Sequence, residues 1–189
     1  GTSLAMVLTD NKHDVKMYGR NEAVVEEINE SHTNLHYLKD VDLPAALRAT
    51  SDLTAAVDHA DLLVIAVPVK AVRGLTKDIH RILLEKNKKV LIVHVAKGLE
   101  LDSHLRVSEV IEQETTPETV EDICVLSGPS HAEEVALKSP TTVSTASLHN
   151  KGVTTIQDVF MSKYFRVYVN EDLVGVEIGG ALKNLSLIH

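Results

Sequence analysis

Hydrophobic residues fall either in short, nearly unbroken runs or in longer stretches where they recur every three or four positions. The runs at residues 15–19, 62–68, 89–96 and 122–128 predict β-strands. Three of them are almost continuous in Val, Ile and Leu, the pattern of strands covered on both faces in a parallel sheet. Residues 141–147 and 165–169 are further β-rich stretches. Helical spacing marks residues 21–31, 69–85, 103–114, 130–138 and 151–161, the first opened by an Asn cap with acidic residues behind it. Strand and helix alternate, which predicts an α/β fold with a doubly wound, mostly parallel sheet.

The two ends break the pattern. The chain opens on Gly1-Thr2-Ser3-Leu4-Ala5-Met6-Val7-Leu8, a helix already under way with no strand before it. In a dinucleotide-binding sheet the first strand is central and its turn carries most of the phosphate-binding glycines. A sheet without it has a gap that no neighbour fills without exposing apolar surface. Residues 172–189 form a long helical pattern with Gly175, Gly179, Gly180 and Ala181, ending without a cap. The sequence reads as trimmed at both ends. Its expected division is an incomplete α/β domain at 1–170 and the first helix of an all-α domain at 171–189.

Composition narrows the function classes. Hydrophobic residues make up 44% and charged residues 24%, as in a globular protein. The formal charge is −8 and the Lys and Arg residues are scattered, which argues against a nucleic-acid surface. No apolar run approaches the roughly 18 residues of a membrane span, and no signal-peptide pattern opens the chain. The lone cysteine, Cys124, lies in Ile-Cys-Val-Leu and reads as a buried, inert thiol. A cytoplasmic location fits these features. The ten histidines show no zinc-site spacing, and His131 is assigned no chemical role. The acidic stretch 109–122 reads as a solvated helix end and loop.

Several residues carry candidate chemistry. Gly1 opens a helix whose N-terminus would attract a phosphate. Arg20 follows the strand at 15–19, where an acid would hold a ribose 2′-hydroxyl and an Arg a 2′-phosphate; this favours NADP or use of both cofactors. Lys97, between Ala96 and Gly98, ends a strand where ligands bind in doubly wound sheets. Ser127-Gly128-Pro129-Ser130 ends another strand and opens a helix, with Ser130 and Glu133 spaced as a capping box. Lys183 sits among small and apolar residues, where partial desolvation and a neighbouring cation would lower its pKa toward that of a general acid/base. Gly179 and Gly180, each costing a helix roughly 1 kcal/mol relative to Ala, are expected to allow close packing on the α/β domain.

Four stretches together resemble the bacterial NAD(P)-dependent glycerol-3-phosphate dehydrogenases: Val67-Pro68, Ala96-Lys97-Gly98, residues 126–136 from Leu-Ser-Gly-Pro-Ser onward, and residues 175–184 ending Gly-Gly-Ala-Leu-Lys-Asn. The last two are long and specific, and the likeness runs the whole length, including residues 164–168. Gly1-Thr2 looks like the tail of the family's glycine-rich turn. The resemblance implies hydride transfer between NAD or NADP and the glycerol 3-phosphate/dihydroxyacetone phosphate pair, in phospholipid precursor supply. It implies Lys183 and Lys97 as catalytic residues. Gly1, Arg20, Pro68, Lys97 and Ala132 would bind cofactor; Lys97, Gly128, Ser130, Lys183 and Asn184 would bind substrate. No metal is implied, and a homodimer is compatible. The competing readings are another two-domain dehydrogenase of the β-hydroxyacid or hexose-acid type, and a non-catalytic nucleotide-binding module. The former are not expected to carry both Leu-Ser-Gly-Pro-Ser and Gly-Gly-Ala-Leu-Lys-Asn; retention of both lysines speaks against the latter.

Overall fold

In a computed structural model that describes residues 1–182, strands and helices alternate through an α/β architecture. The elements are α1 (Thr2–Asp10), β1 (Lys16–Tyr18), α2 (Glu22–Glu26) running into a π-type turn at Glu27–Ser31, β2 (Arg48–Thr50), α3 (Leu53–His59), β3 (Leu62–Ile65) and α4 (Val69–Glu85). They continue with β4 (Val90–His94), α5 (Val107–Glu114), β5 (Val120–Ser127), α6 (Ala132–Ala136), β6 (Thr141–Ser147), α7 (Val153–Phe160), β7 (Phe165–Val169) and α8 (Leu173–Leu182).

Strands β3 to β7 form one sheet in chain order, parallel except where β5 meets β6. Successive residues of β4 enter opposite cores, as the unbroken apolar run predicts. Val90 and Ile92 pack with Val72, Ile79 and Leu83 of α4 and with Val110 and Ile111 of α5. Leu91 and Val93 pack with Val7 of α1 and with Ile156 and Phe160 of α7. The α4 stripe Val72, Ile79, Ile82 and Leu83 repeats at helical spacing, so one face meets the sheet and the other meets solvent.

Strands β1 and β2 make a separate parallel pair. Between it and the main sheet lies a cleft of about 1120 Å³, bordered by Val15, Met17, Leu62, Val64 and Ile65 among others. Strands β1 and β3 are not hydrogen-bonded to one another, so the cleft separates the two sheets.

Several boundaries move, each for a local reason. The helix expected at 103–114 begins at Val107, because His104 is left-handed (φ 59°) and cannot join a helix. Glu109 then accepts the Arg106 N–H at 2.8 Å and fixes the start. The helix expected at 130–138 is only α6: the Ser130 N–H turns back to the Gly128 carbonyl at 2.9 Å, and His131 takes the cap position. The Ser130–Glu133 capping box is therefore absent. Asn21 caps α2 as expected, accepting from the Ala23 N–H at 3.0 Å. The pattern gave no sign of β2 or α3, although Asp52 caps α3 by accepting the Thr54 and Ala55 N–H groups at 2.8 and 3.2 Å.

Candidate active site

Three segments meet at the C-terminal ends of the central strands. The first is the N-terminus of α1. Its first intrahelical bond runs from the Ala5 N–H to the Gly1 carbonyl at 3.0 Å, so the N–H groups of Thr2, Ser3 and Leu4 at its end have no partner within the helix. The second is the turn after β4, with Lys97 followed by Gly98. Gly98 has φ 129°, a conformation that side chains resist. The third is the turn after β5, carrying Gly128 to Ala132.

Gly1, Ser3, Leu4, Lys97, Ser130 and Ala132 border one cavity of about 150 Å³. Lys97 donates to the Gly128 carbonyl at 3.2 Å, tying the second segment to the third. Gly128 itself is sterically fixed: a Cβ there would lie 2.8 Å from the Thr142 carbonyl oxygen and 2.9 Å from Val143 Cα, both backbone atoms. Gly1 and Ala132 also border the large cleft, together with Pro68 and Gly19. Pro68 precedes α4 at its cap position with φ −56°, which its ring presets. Arg20 is exposed just past β1, and it forms no ion pair among the described residues.

Helix α8 crosses this site. Leu173, Glu177 and Gly180 are buried along one face of it. A Cβ on Gly180 would lie 2.6 Å from Ser127 Oγ and 3.9 Å from Lys97 Cγ, so this glycine brings the helix backbone against the site. Gly179 departs from the expectation of close packing, since among the described residues nothing lies within 4 Å of a Cβ placed there. Lys183 and Asn184 lie outside the described residues.

The sequence reading missed two buried carboxylates. Asp122, in the stretch read as solvated, is buried on β5 and accepts the N–H groups of Ile123, His149, Lys151 and Gly152 at 2.8–2.9 Å. Burial pushes its pKa up, but the Gly152, Lys151 and His149 N–H groups together with the Ser147 side chain outweigh burial and hold it below the usual carboxylate value. Glu177 is the other. Burial acts on it in the same sense, and contacts with His94 and Ser108 bring its pKa down to about 2. A single acid in the otherwise apolar stretch 173–182 was the available signal. Cys124 is buried as expected, its thiol pushed up to about 12 by burial and then by Asp122.

A mostly parallel sheet with a helix N-terminus and a lysine at its strand ends, crossed by the glycine-bearing helix α8, is the arrangement of a Rossmann-like nucleotide-binding fold. The chain belongs to the family described as NAD-dependent glycerol-3-phosphate dehydrogenase N-terminus, whose model matches residues 1–153. It is 51% identical over 185 residues to a glycerol-3-phosphate dehydrogenase [NAD(P)+] of Macrococcus caseolyticus, covering 98% of this chain and 55% of that protein. The corresponding protein of Bacillus pumilus is 49% identical, with 98% and 53% covered. Among solved structures, the glycerol-3-phosphate dehydrogenase of Coxiella burnetii superposes with a TM-score of 0.87 at 32% identity, over 97% of this chain and 55% of that one. A UDP-glucose dehydrogenase of Pyrobaculum islandicum shares the fold alone, with a TM-score of 0.70 at 15% identity over 98% of this chain and 46% of that one. The chain thus spans about half the length of the curated relatives it matches.

Proposed function

We propose that this chain is the cofactor-binding half of an enzyme that interconverts sn-glycerol 3-phosphate and dihydroxyacetone phosphate with NAD(H) or NADP(H), supplying glycerophospholipid synthesis. The observation that carries the reading is the convergence of the α1 N-terminus, Lys97 and the Gly128–Ala132 turn on one cavity. The donor chemistry fits a dinucleotide: the N–H groups opening α1 suit a pyrophosphate, and the adjoining cleft reaches Pro68 and Gly19. Arg20, next to Gly19 and exposed, would pair with a 2′-phosphate.

When bound, the nicotinamide supplies or accepts the hydride. The chain's residues do the rest. Lys97, anchored on the Gly128 carbonyl, holds the substrate oxygen, and Gly128 and Ser130 contact the glycerol phosphate. Lys183 takes the proton from the C2 hydroxyl during oxidation and returns it during reduction, with Asn184 as its hydrogen-bonding neighbour. Domain 1–170 would bind cofactor, and residues from 171 onward would open the helical substrate domain. We place the protein in the cytoplasm, as a homodimer; no described helix is long and apolar enough to cross a membrane.

The test is a substrate panel with the full-length protein. Glycerol 3-phosphate should reduce NAD(P)+, whereas glycerol, UDP-glucose and β-hydroxyacids should not. Turnover of one of those others instead would replace this reading with its rival.

A further inference from the structure

Helix α8 buries a carboxylate in the face it turns to the sheet. Glu177 is only 8% exposed, and a charge so placed is costly unless fully paired. Three hydrogen bonds and one close imidazole contact converge on it. The Ser108 N–H at 2.9 Å and His94 Nε2 at 3.1 Å approach Oε1. Ser108 Oγ–H at 2.6 Å and Arg106 Nη1 at 2.7 Å meet Oε2. Arg106 is itself held by Glu109 at 3.0 Å. These groups come from the end of β4 and from the first turn of α5, whose positive end also favours an anion.

A cluster of this kind is a poor source of stability, since an apolar residue of similar volume often holds two elements together as firmly. What it adds is register. A slide or rotation of α8 would strand the carboxylate and its three hydrogen-bond donors, whereas an apolar contact tolerates such a shift. That register matters here because His94 lies three residues before Lys97 on the same strand end, and Gly180 lies one helical turn after Glu177, against Ser127 and Lys97. Lys183 follows three residues later in the sequence.

We propose that Glu177 is a positioning residue: by docking onto His94, Arg106 and Ser108 it fixes α8 against the strand end that bears Lys97, and so sets how the Gly180 backbone meets Ser127 and Lys97. The inference rests on the dehydrogenase reading above. In the full-length protein, Glu177→Gln keeps the shape but replaces one acceptor oxygen with a donor facing donors. It should lower kcat for glycerol 3-phosphate about 10- to 100-fold, the cost of misplacing a reacting group by about an ångström. The Kd for NAD(P)H, read by nicotinamide fluorescence, should stay within about twofold, and hydrogen exchange at residues 174–182 should accelerate. Should that variant fail to fold, Ser108→Ala removes a single hydroxyl donor and should lower kcat about fivefold, the worth of one hydrogen bond.

Unchanged exchange at 174–182 would overturn the docking role. Faster exchange with wild-type kcat would overturn its catalytic consequence, and parallel loss of kcat and NAD(P)H binding would reduce Glu177 to a structural residue. A wild-type protein that does not turn over glycerol 3-phosphate would instead overturn the dehydrogenase reading, and this inference with it.

Discussion

Replacing Gly128 with alanine adds one methyl group at the tightest point of the candidate site. The new Cβ would sit 2.8 Å from the Thr142 carbonyl oxygen, 2.9 Å from Val143 Cα and 3.1 Å from Val143 Cγ1. Two of those are backbone atoms of β6, which is hydrogen-bonded on both sides, so no rotamer change relieves the contact. The turn must move instead. Overpacking of this kind costs about 1–3 kcal/mol. At about 2–4 °C per kcal/mol for a chain of this size, the Tm should fall by several degrees. The same movement displaces the Gly128 carbonyl that accepts from Lys97 at 3.2 Å, so the apparent affinity for glycerol 3-phosphate should weaken too. Gly179→Ala is the internal control. Among the described residues nothing lies within 4 Å of its Cβ, so the helix should gain about 0.5–1 kcal/mol. Gly180→Ala should fall between, because the atom it meets at 2.6 Å is a serine hydroxyl that can rotate away. Thermal and denaturant unfolding of the three variants gives the order directly. Gly128→Ala as stable as wild type, or Gly179→Ala less stable than Gly128→Ala, would refute the packing argument.

Other expectations follow from buried groups. Asp122→Ala strands four backbone N–H groups and should destabilise the fold by at least about 2 kcal/mol in urea titrations, with the cavity left by the side chain adding to that. Glu177 has a folded-state pKa of about 2 against an ordinary value of 4.5, so its contribution to stability is complete above about pH 4.5 and is lost as pH falls toward 2; Glu177→Gln should flatten the acid limb of the stability profile in that window. Cys124, with its thiol near 12, should react with a thiol reagent only in denaturant, and rapid labelling of the native protein would contradict its burial. Arg20→Ala in the full-length protein should weaken NADPH far more than NADH, by about 1.5–3 kcal/mol if a charge-assisted contact to the 2′-phosphate is lost; equal losses would leave Arg20 a stacking or structural residue.

Strands β6 and β7 and helix α4 were legible to the residue, because clusters of β-branched and aromatic residues and a 17-residue amphipathic stripe leave little ambiguity. Strand β2 and helix α3 were not: three residues show no period, and seven show one only weakly. The left-handed His104 delayed the start of α5, and the left-handed Lys138 closed α6, where the apolar pattern showed neither. At the site, the motif residues Lys97, Gly128, Ser130 and Ala132 were visible in one dimension, and the fold gathers them. Asp122 and Glu177 were not visible, since what makes a buried charge tolerable is a ring of donors brought from distant segments. Gly179 and Gly180 looked alike in sequence, and only the direction each faces separates them.

The most direct test of the account is the rate of glycerol 3-phosphate oxidation by the full-length protein, compared between wild type and Lys183→Ala. The account predicts reduced nicotinamide appearing only when glycerol 3-phosphate is added, and a kcat about 10²–10⁴-fold lower in the variant, with NAD(P)H binding close to wild type. A wild-type protein inert toward glycerol 3-phosphate, or a Lys183→Ala variant turning over at nearly the wild-type rate, would contradict it.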